Sequence, residues 1–457
     1  MFLQSRLAVV DDRAEHLSGL KEILNSLNLD CHSKLYDEET VADWEPLPGV
    51  RIIFIDKNLR TGVTMGGGEQ NAFAAIVEVL EKLVDPSSGP YGLVLWAEQP
   101  QLEELKTFLF ERLGEDRPEL LPVFCEQLRK TDYINTGTGA VVDAEKLKVD
   151  IVAKMSASPQ MKALFSWEAD VAAAMDAVLR SLVDLVPMEN RKLDEFGGHL
   201  GNVLYRLSQA GSGHGREEEN PRESINRVLV PILADRITEH DPEGAGGGDW
   251  SAAIVKPNDA WAELSVQAKI NSAIHISRAN SPQSIQIKPS DLGAVVAFPF
   301  ADIDKALEEQ FQLSIDKIKN DLFFGASDEE WDNCHLRLVQ IGASCDHAQQ
   351  KDGPILYLLA IEWPFTNADG SKTDNAKLHA RKTRKEVEWR TPVLVVGDKS
   401  TPGKVSVFLN CPLSVPRSSV GEWQPVSRFR EELVSHLTQE YARHISRPGI
   451  VTLSRDD

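Results

Sequence analysis

No stretch of this 457-residue chain approaches the ~20 consecutive apolar residues of a membrane-spanning helix, which argues against a membrane protein. The opening Met-Phe-Leu-Gln-Ser-Arg-Leu-Ala-Val-Val-Asp-Asp is broken early by charge and has no small-residue cleavage site. It reads as a buried strand and not as a signal peptide. Cysteine is scarce: Cys31, Cys125, Cys334, Cys345 and Cys411 make an odd set with no C-x-x-C pair. A disulfide framework is therefore not expected, and the setting reads as a reducing cytoplasm. Positive charge is also short. Against 70 acids stand 49 lysines and arginines, a formal net charge of -21, which disfavours non-specific binding to nucleic acid or anionic membrane. The triplet Gly66-Gly67-Gly68 is not followed by Gly-Lys-Ser/Thr, so it is no P-loop. No internal repeat is visible, and residues 159–240 lack the basic-faced helix of a helix-turn-helix reader.

What is present is the material of a globular protein: 42% hydrophobic and 26% charged residues. The charge is uneven. Residues 1–150 carry 27 acids against 15 bases (net -12), and residues 371–457 carry 10 acids against 15 bases (net +5), so the two ends face different partners or each other. The length and composition suggest three regions: residues 1–150 as an α/β domain, 151–280 as a helical segment, and 281–457 as an α+β region.

In the first region, residues 6–12 form a short apolar strand ending in Asp11-Asp12, and Leu17, Leu20, Ile23, Leu24 and Leu27 follow at helical spacing. A weaker strand is expected at 31–36, and Ile52-Ile53-Phe54-Ile55 is a second apolar run closed by Asp56. Helices are predicted over about 70–84 and 101–113, with strands at Gly92–Leu95 and Leu121–Phe124. Fully apolar strands alternating with amphipathic helices predict a doubly wound parallel sheet, in which chemistry sits at the carboxyl ends of the strands. Asp11, Asp12 and Asp56 all lie at such ends. Farther on, helices are predicted at 159–240, interrupted by polar linkers at 211–220 and 241–249, and at 258–276, 303–322 and 426–445. Strands are predicted at 293–298, 335–341, 355–362, 391–396 and 404–409.

Three carboxylates at strand ends suit a hard cation such as Mg²⁺, which takes oxygen ligands and keeps several waters. The cation offsets the charge of an incoming phosphoryl group while one carboxylate attacks it. Val9-Val10-Asp11-Asp12 before an amphipathic helix, then Ile53-Phe54-Ile55-Asp56-Lys57-Asn58-Leu59, resembles the receiver domains of response regulators over about 135 residues. That resemblance implies a five-stranded sheet of order 2-1-3-4-5. It implies Asp56 as phosphoacceptor, and Mg²⁺ held by Asp11, Asp12, Asp56 and the backbone carbonyl of Asn58. The sequence departs from the family pattern at the end of the fourth strand. There Val94-Leu95-Trp96-Ala97 puts Trp96 in the switch position usually held by Thr or Ser. The family's Lys-Pro is absent; within Arg129-Lys130-Thr131-Asp132, Lys130 is the candidate charge sensor.

Such a receiver followed by a long α+β tail resembles the receiver-containing proteins of bacterial phage-defence operons. This second resemblance implies a histidine-kinase-like ATPase or another operon-encoded protein as partner.

Other clusters read as structural. Cys334-His335 and Cys345-Asp346-His347 have the ligand types of zinc, but neighbours on a strand point to opposite faces, and no zinc is expected. The basic run within 377–390 could meet phosphates, or be a solvated face. The expectation is a signalling regulator, more a binding protein than an enzyme. Two alternatives remain open: a pseudo-receiver scaffold, and a receiver-regulated hydrolase or nuclease using Asp346, Glu362 and Lys351.

Overall fold

The structure is a computed structural model. It describes residues 5–59, 68–213, 220–239, 246–256, 263–279, 286–322, 331–343, 346–347, 353–365, 387–397 and 401–447. The chain divides into two compact units, Met1–Leu179 with Leu233–Val255, and Arg180–Ile232 with Lys256–Asp457.

The first unit is built on five strands: β1 (Leu7–Asp11), β2 (Cys31–Leu35), β3 (Ile52–Ile55), β4 (Gly92–Ala97) and β5 (Phe124–Arg129). Their order is β2-β1-β3-β4-β5 and every pairing is parallel. Helices α1 (Ala14–Ser26), α2 (Gly68–Leu83) and α3 (Leu102–Leu113) make the crossovers, and α4 (Ala144–Met155) follows. Each central strand is apolar on both faces because both are covered. Ala8, Val10, Ile53, Ile55, Leu93 and Leu95 face one core with α2 and α3. Leu7, Val9, Ile52, Phe54, Val94 and Trp96 face the other with α1 and α4.

Strand β5 begins where the sequence places its end. Pro122 cannot donate to a ladder, and β5 is an edge strand whose only fully buried residue is Leu128, so its apolar pattern is faint. The run at 121–123 instead leads into the strand, with Val123 N–H bonded to the Tyr91 carbonyl at 2.8 Å.

Helix α5 (Pro159–Asp184) carries Glu168, which receives Arg51 from the foot of β3 at 2.8 Å within the same unit. Helices α6 (Phe196–Ser212), α7 (Pro221–Glu239), α8 (Gly246–Ala253) and α9 (Leu264–His275) continue the helical segment.

The second unit holds an antiparallel sheet of β6 (Ile276–Arg278), β7 (Ala294–Ala297), β8 (His335–Ile341), β9 (Pro354–Pro364), β10 (Glu388–Arg390), β11 (Leu394–Val396), β12 (Thr401–Pro416) and β13 (Pro425–Phe429). The order is β10-β12-β9-β8-β7-β13-β6, with β11 on β12. Helices α10 (Ile303–Phe311) and α11 (Glu431–Ile445) lie in the same unit.

Two predicted helices are shortened here. The one at 303–322 stops where Gln312 takes a left-handed conformation (φ 55°) as C-cap, and Ser314 then caps a new turn. The one at 426–445 loses its first residues to β13, because Ser427 to Phe429 pair with β6 on one side and Ser427 and Arg428 pair with β7 on the other. The fold class is α/β, with the parallel sheet followed by helices and the antiparallel sheet.

Candidate functional site

Parallel pairing sets the geometry of the site. Val10 pairs with Ile55 and Ile55 with Leu95, so the next residues along β1, β3 and β4 are Asp11, Asp56 and Trp96. By alternation all three belong to the sheet face of Val9, Phe54 and Val94, and Lys130, two past Leu128, joins them from the end of β5. Asp56 N–H is still bonded to the Val10 carbonyl at 2.9 Å, so the ladder holds the phosphoacceptor candidate in register.

The carboxylates of Asp11, Asp12 and Asp56 each offer an oxygen, all within 4.8 Å of one another. An octahedral Mg²⁺ holds opposite ligands ~4.2 Å apart, so a contraction of under ~1 Å lets one cation reach all three. Among the described residues no other group of three or more His, Cys, Asp or Glu side chains is so arranged.

Asp11, Asp56 and Lys130 are buried, with 0%, 4% and 1% exposure, and Asp12 is half-buried at the rim. Lys130 Nζ donates to Asp11 Oδ2 at 2.6 Å and lies 2.9 Å from Asp56 Oδ2. Asp11 Oδ1 accepts the backbone N–H of Arg13 at 3.0 Å. Asp56 Oδ1, although buried, has no hydrogen-bond partner. Buried polar atoms are almost always paired, so an orphaned carboxylate oxygen in this position is suited to a cation or an electrophile.

Two pKa shifts follow from this packing. Burial raises the Asp56 carboxyl above the ordinary range; Lys130 opposes the rise and Asp11 adds to it. The backbone N–H of Asn58 also favours the ionised Asp56 carboxylate. Asp12 is pushed up to about 6, first by burial, then by the charges of Asp56 and Asp11, with Lys130 again opposing. Three acids thus share a single ammonium, and the charge left over is one that a divalent cation would balance.

Lys130 therefore sits with the acidic cluster. Trp96 is fully buried and stacks on Tyr133, with centroids 6.0 Å apart and planes at 23°. Its indole N–H has no partner.

One residue of this neighbourhood went unseen in the sequence: His16, 2% exposed, on α1 beside Asp11 and Lys130. Its signal was its place four residues before Leu20 and seven before Ile23, on a face where a polar side chain must find partners.

Elsewhere the candidates separate. Glu362 is buried in β9, its carboxylate held by Arg337 Nε at 2.6 Å and by the Gly397 N–H at 2.7 Å. It is a satisfied structural acid. Lys351, Cys345, Gly66, Gly67 and the basic residues 377–385 lie outside the described residues. Cys334 is partly buried just before β8 and forms no disulfide with a described cysteine, and its zinc-pair candidate Cys345 lies outside the described residues.

No protein family and no curated protein matches the chain. Among solved structures, full-length FixJ from B. japonicum is similar to it at 13% identity, over 56% of this chain and 100% of that one, with a TM-score of 0.19. The fold described above rests on strand order and register, independently of that likeness.

Proposed function

We propose that the chain is a signalling regulator whose first unit accepts or senses a phosphoryl group at Asp56, with Mg²⁺, and so controls an interaction made by the second unit. The observation that carries this reading is the pairing of one free and one held oxygen on a single buried carboxylate. Lys130 holds Asp56 Oδ2, while Oδ1 is unpartnered.

Asp56 Oδ1 is the nucleophile in this reading. It attacks phosphorus, an O–P bond forms, and the bond to the donor's leaving group breaks with its electron pair going to that group. Asp11, Asp12 and Asp56, with the backbone carbonyl of Asn58, would hold Mg²⁺, which when bound would offset the negative charge of the phosphoryl oxygens. Lys130 supplies the second positive charge from the β5 side. Burial excludes competing water from the acyl phosphate. The phosphodonor in this reading is a histidine-kinase-like ATPase of a bacterial defence operon, in the cytoplasm.

A second reading is favoured by Trp96. Its indole replaces the hydroxyl that would follow a phosphoryl group, and its stacking on Tyr133 fixes it. In that reading the unit is a pseudo-receiver that binds without switching.

Beryllofluoride, a phosphoryl mimic, separates the two. In saturating Mg²⁺, the mimic at a hundredfold its dissociation constant should add ~2.7 kcal/mol to the stability of the first unit. The gain should vanish in Asp56→Asn and in Asp12→Ala. A wild type and an Asp56→Asn variant that respond alike would make the unit a pseudo-receiver.

A further inference from the structure

The three protons of the Lys130 ammonium have three acceptors, and only two of them are carboxylates. The third is His16 Nδ1, 3.2 Å from Lys130 Nζ, in a side chain 2% exposed. On its far side His16 Nε2 lies 3.1 Å from the backbone carbonyl of Thr136. An ammonium only donates and a carbonyl only accepts, so both contacts are satisfied together by one form of the ring: Nδ1 bare, Nε2 carrying the proton. The other neutral tautomer satisfies neither. A doubly protonated ring would turn an N–H toward the ammonium, with only the longer contact to Asp11 Oδ1 at 3.6 Å to offset it.

Thr136 belongs to a tight loop that begins within one turn of Lys130. Ile134 N–H returns to the Lys130 carbonyl at 2.9 Å, and Ile134 bridges Val141 across the loop. Arg13, also at the start of α1, donates to the same Thr136 carbonyl at 2.5 Å. The loop is pressed onto α1: Gly139, in a left-handed conformation (φ 71°), has no room for a Cβ, which would fall 2.6 Å from Glu15 Cβ. Bonded at both ring nitrogens, His16 thus joins the acidic pocket to the loop that follows β5.

We infer that His16 is a positioning residue: it fixes Lys130 between Asp11 and Asp56 by accepting the third ammonium proton, and it takes its own bearing from the Thr136 carbonyl. This rests on the proposed function for its consequence, since a fixed Lys130 matters to an anion only if the pocket binds one. The geometry itself is independent of that reading. Without the acceptor, a buried ammonium proton is left unpaired and Lys130 moves to satisfy it.

The test uses the full chain labelled with [¹⁵N]histidine, together with Mg²⁺–beryllofluoride titrations of wild type and three variants. The amide oxygen of His16→Asn falls where Nδ1 was and restores the acceptor for Lys130. The amide nitrogen of His16→Gln falls where Nε2 was and restores only the bond to Thr136. His16→Leu restores neither.

We expect the ¹⁵N resonances that vanish in His16→Asn to be those of a ring protonated at Nε2 and bare at Nδ1. We expect affinity for beryllofluoride to fall about tenfold in His16→Leu and His16→Gln, the scale of one charge-assisted hydrogen bond, and to recover most of that loss in His16→Asn. A ring protonated at Nδ1 would overturn the inference, as would equal affinities in all three variants. If wild type binds no beryllofluoride, the proposed function fails, and the tautomer alone then decides whether His16 holds Lys130.

Discussion

The two sheets of this molecule treat buried charge in opposite ways. In the antiparallel sheet each of the two buried carboxylates among the described residues has its own guanidinium: Glu362 with Arg337 at 2.6 Å, and Glu388 with Arg390 at 2.7 and 3.0 Å. In the parallel sheet Asp11 and Asp56 share one Lys130, with Asp12 beside them, and Asp56 keeps a bare oxygen. Paired charge is architecture. Unbalanced buried charge costs stability, and a fold keeps it where an ion or a reacting group supplies the balance.

The sharpest way to break this comparison is to remove the cationic partner in each sheet. Lys130→Met and Arg337→Met should each lose about 3–5 kcal/mol, because each leaves buried carboxylate uncompensated. Chemical denaturation with a probe in each unit measures both. Mg²⁺ at a hundredfold its dissociation constant should return ~2.7 kcal/mol to Lys130→Met and nothing to Arg337→Met. Equal rescue, or none, would erase the distinction.

Removing an acid should split the sheets by sign. Without Mg²⁺, Asp12→Asn takes away one repelling charge and should raise the stability of the first unit by about 1 kcal/mol. Glu362→Gln leaves Arg337 half-satisfied and should lower that of the second. If Asp12→Asn destabilises, the acidic cluster is not under electrostatic strain.

The pH dependence sharpens the same point. Asp12 holds its proton in the folded state up to about 6, against an ordinary value of 3.8 in the unfolded chain. Between those values the native state binds more protons. Its stability therefore falls as pH rises through the window and levels off above it. Mg²⁺ competes for the same oxygen, so its affinity should climb with pH up to about 6 and then flatten, which calorimetric titration reads directly.

At Trp96 no hydrogen bond is at stake, because its N–H is already unpartnered, so Trp96→Phe should cost only the packing of the ring atoms removed, about 1–2 kcal/mol.

The acidic site was legible in the sequence because of how parallel strands are made. Val9-Val10 and Ile52–Ile55 are apolar throughout, which marks strands covered on both faces, and acids closing such runs must lie at the carboxyl edge. Lys130 was legible as the basic residue after the last strand, though β5 itself was placed several residues early, since an edge strand reading Phe-Cys-Glu-Gln-Leu-Arg shows little apolar pattern. His16 was not, because one histidine on an apolar helix face reveals neither its partners nor its tautomer. In the second unit, strand β13 and the break at Gln312 were hidden for a related reason. Both are decided by contacts or backbone angles that local periodicity does not encode.

The most direct test of the central claim is intact-mass spectrometry of the full chain after incubation with a small acyl or amidophosphate donor and Mg²⁺. Reductive trapping then locates any acyl phosphate. One phosphoryl adduct is expected, mapped to Asp56, dependent on Mg²⁺ and absent from Asp56→Asn. An adduct elsewhere, or none under conditions where beryllofluoride also fails to bind, would contradict it.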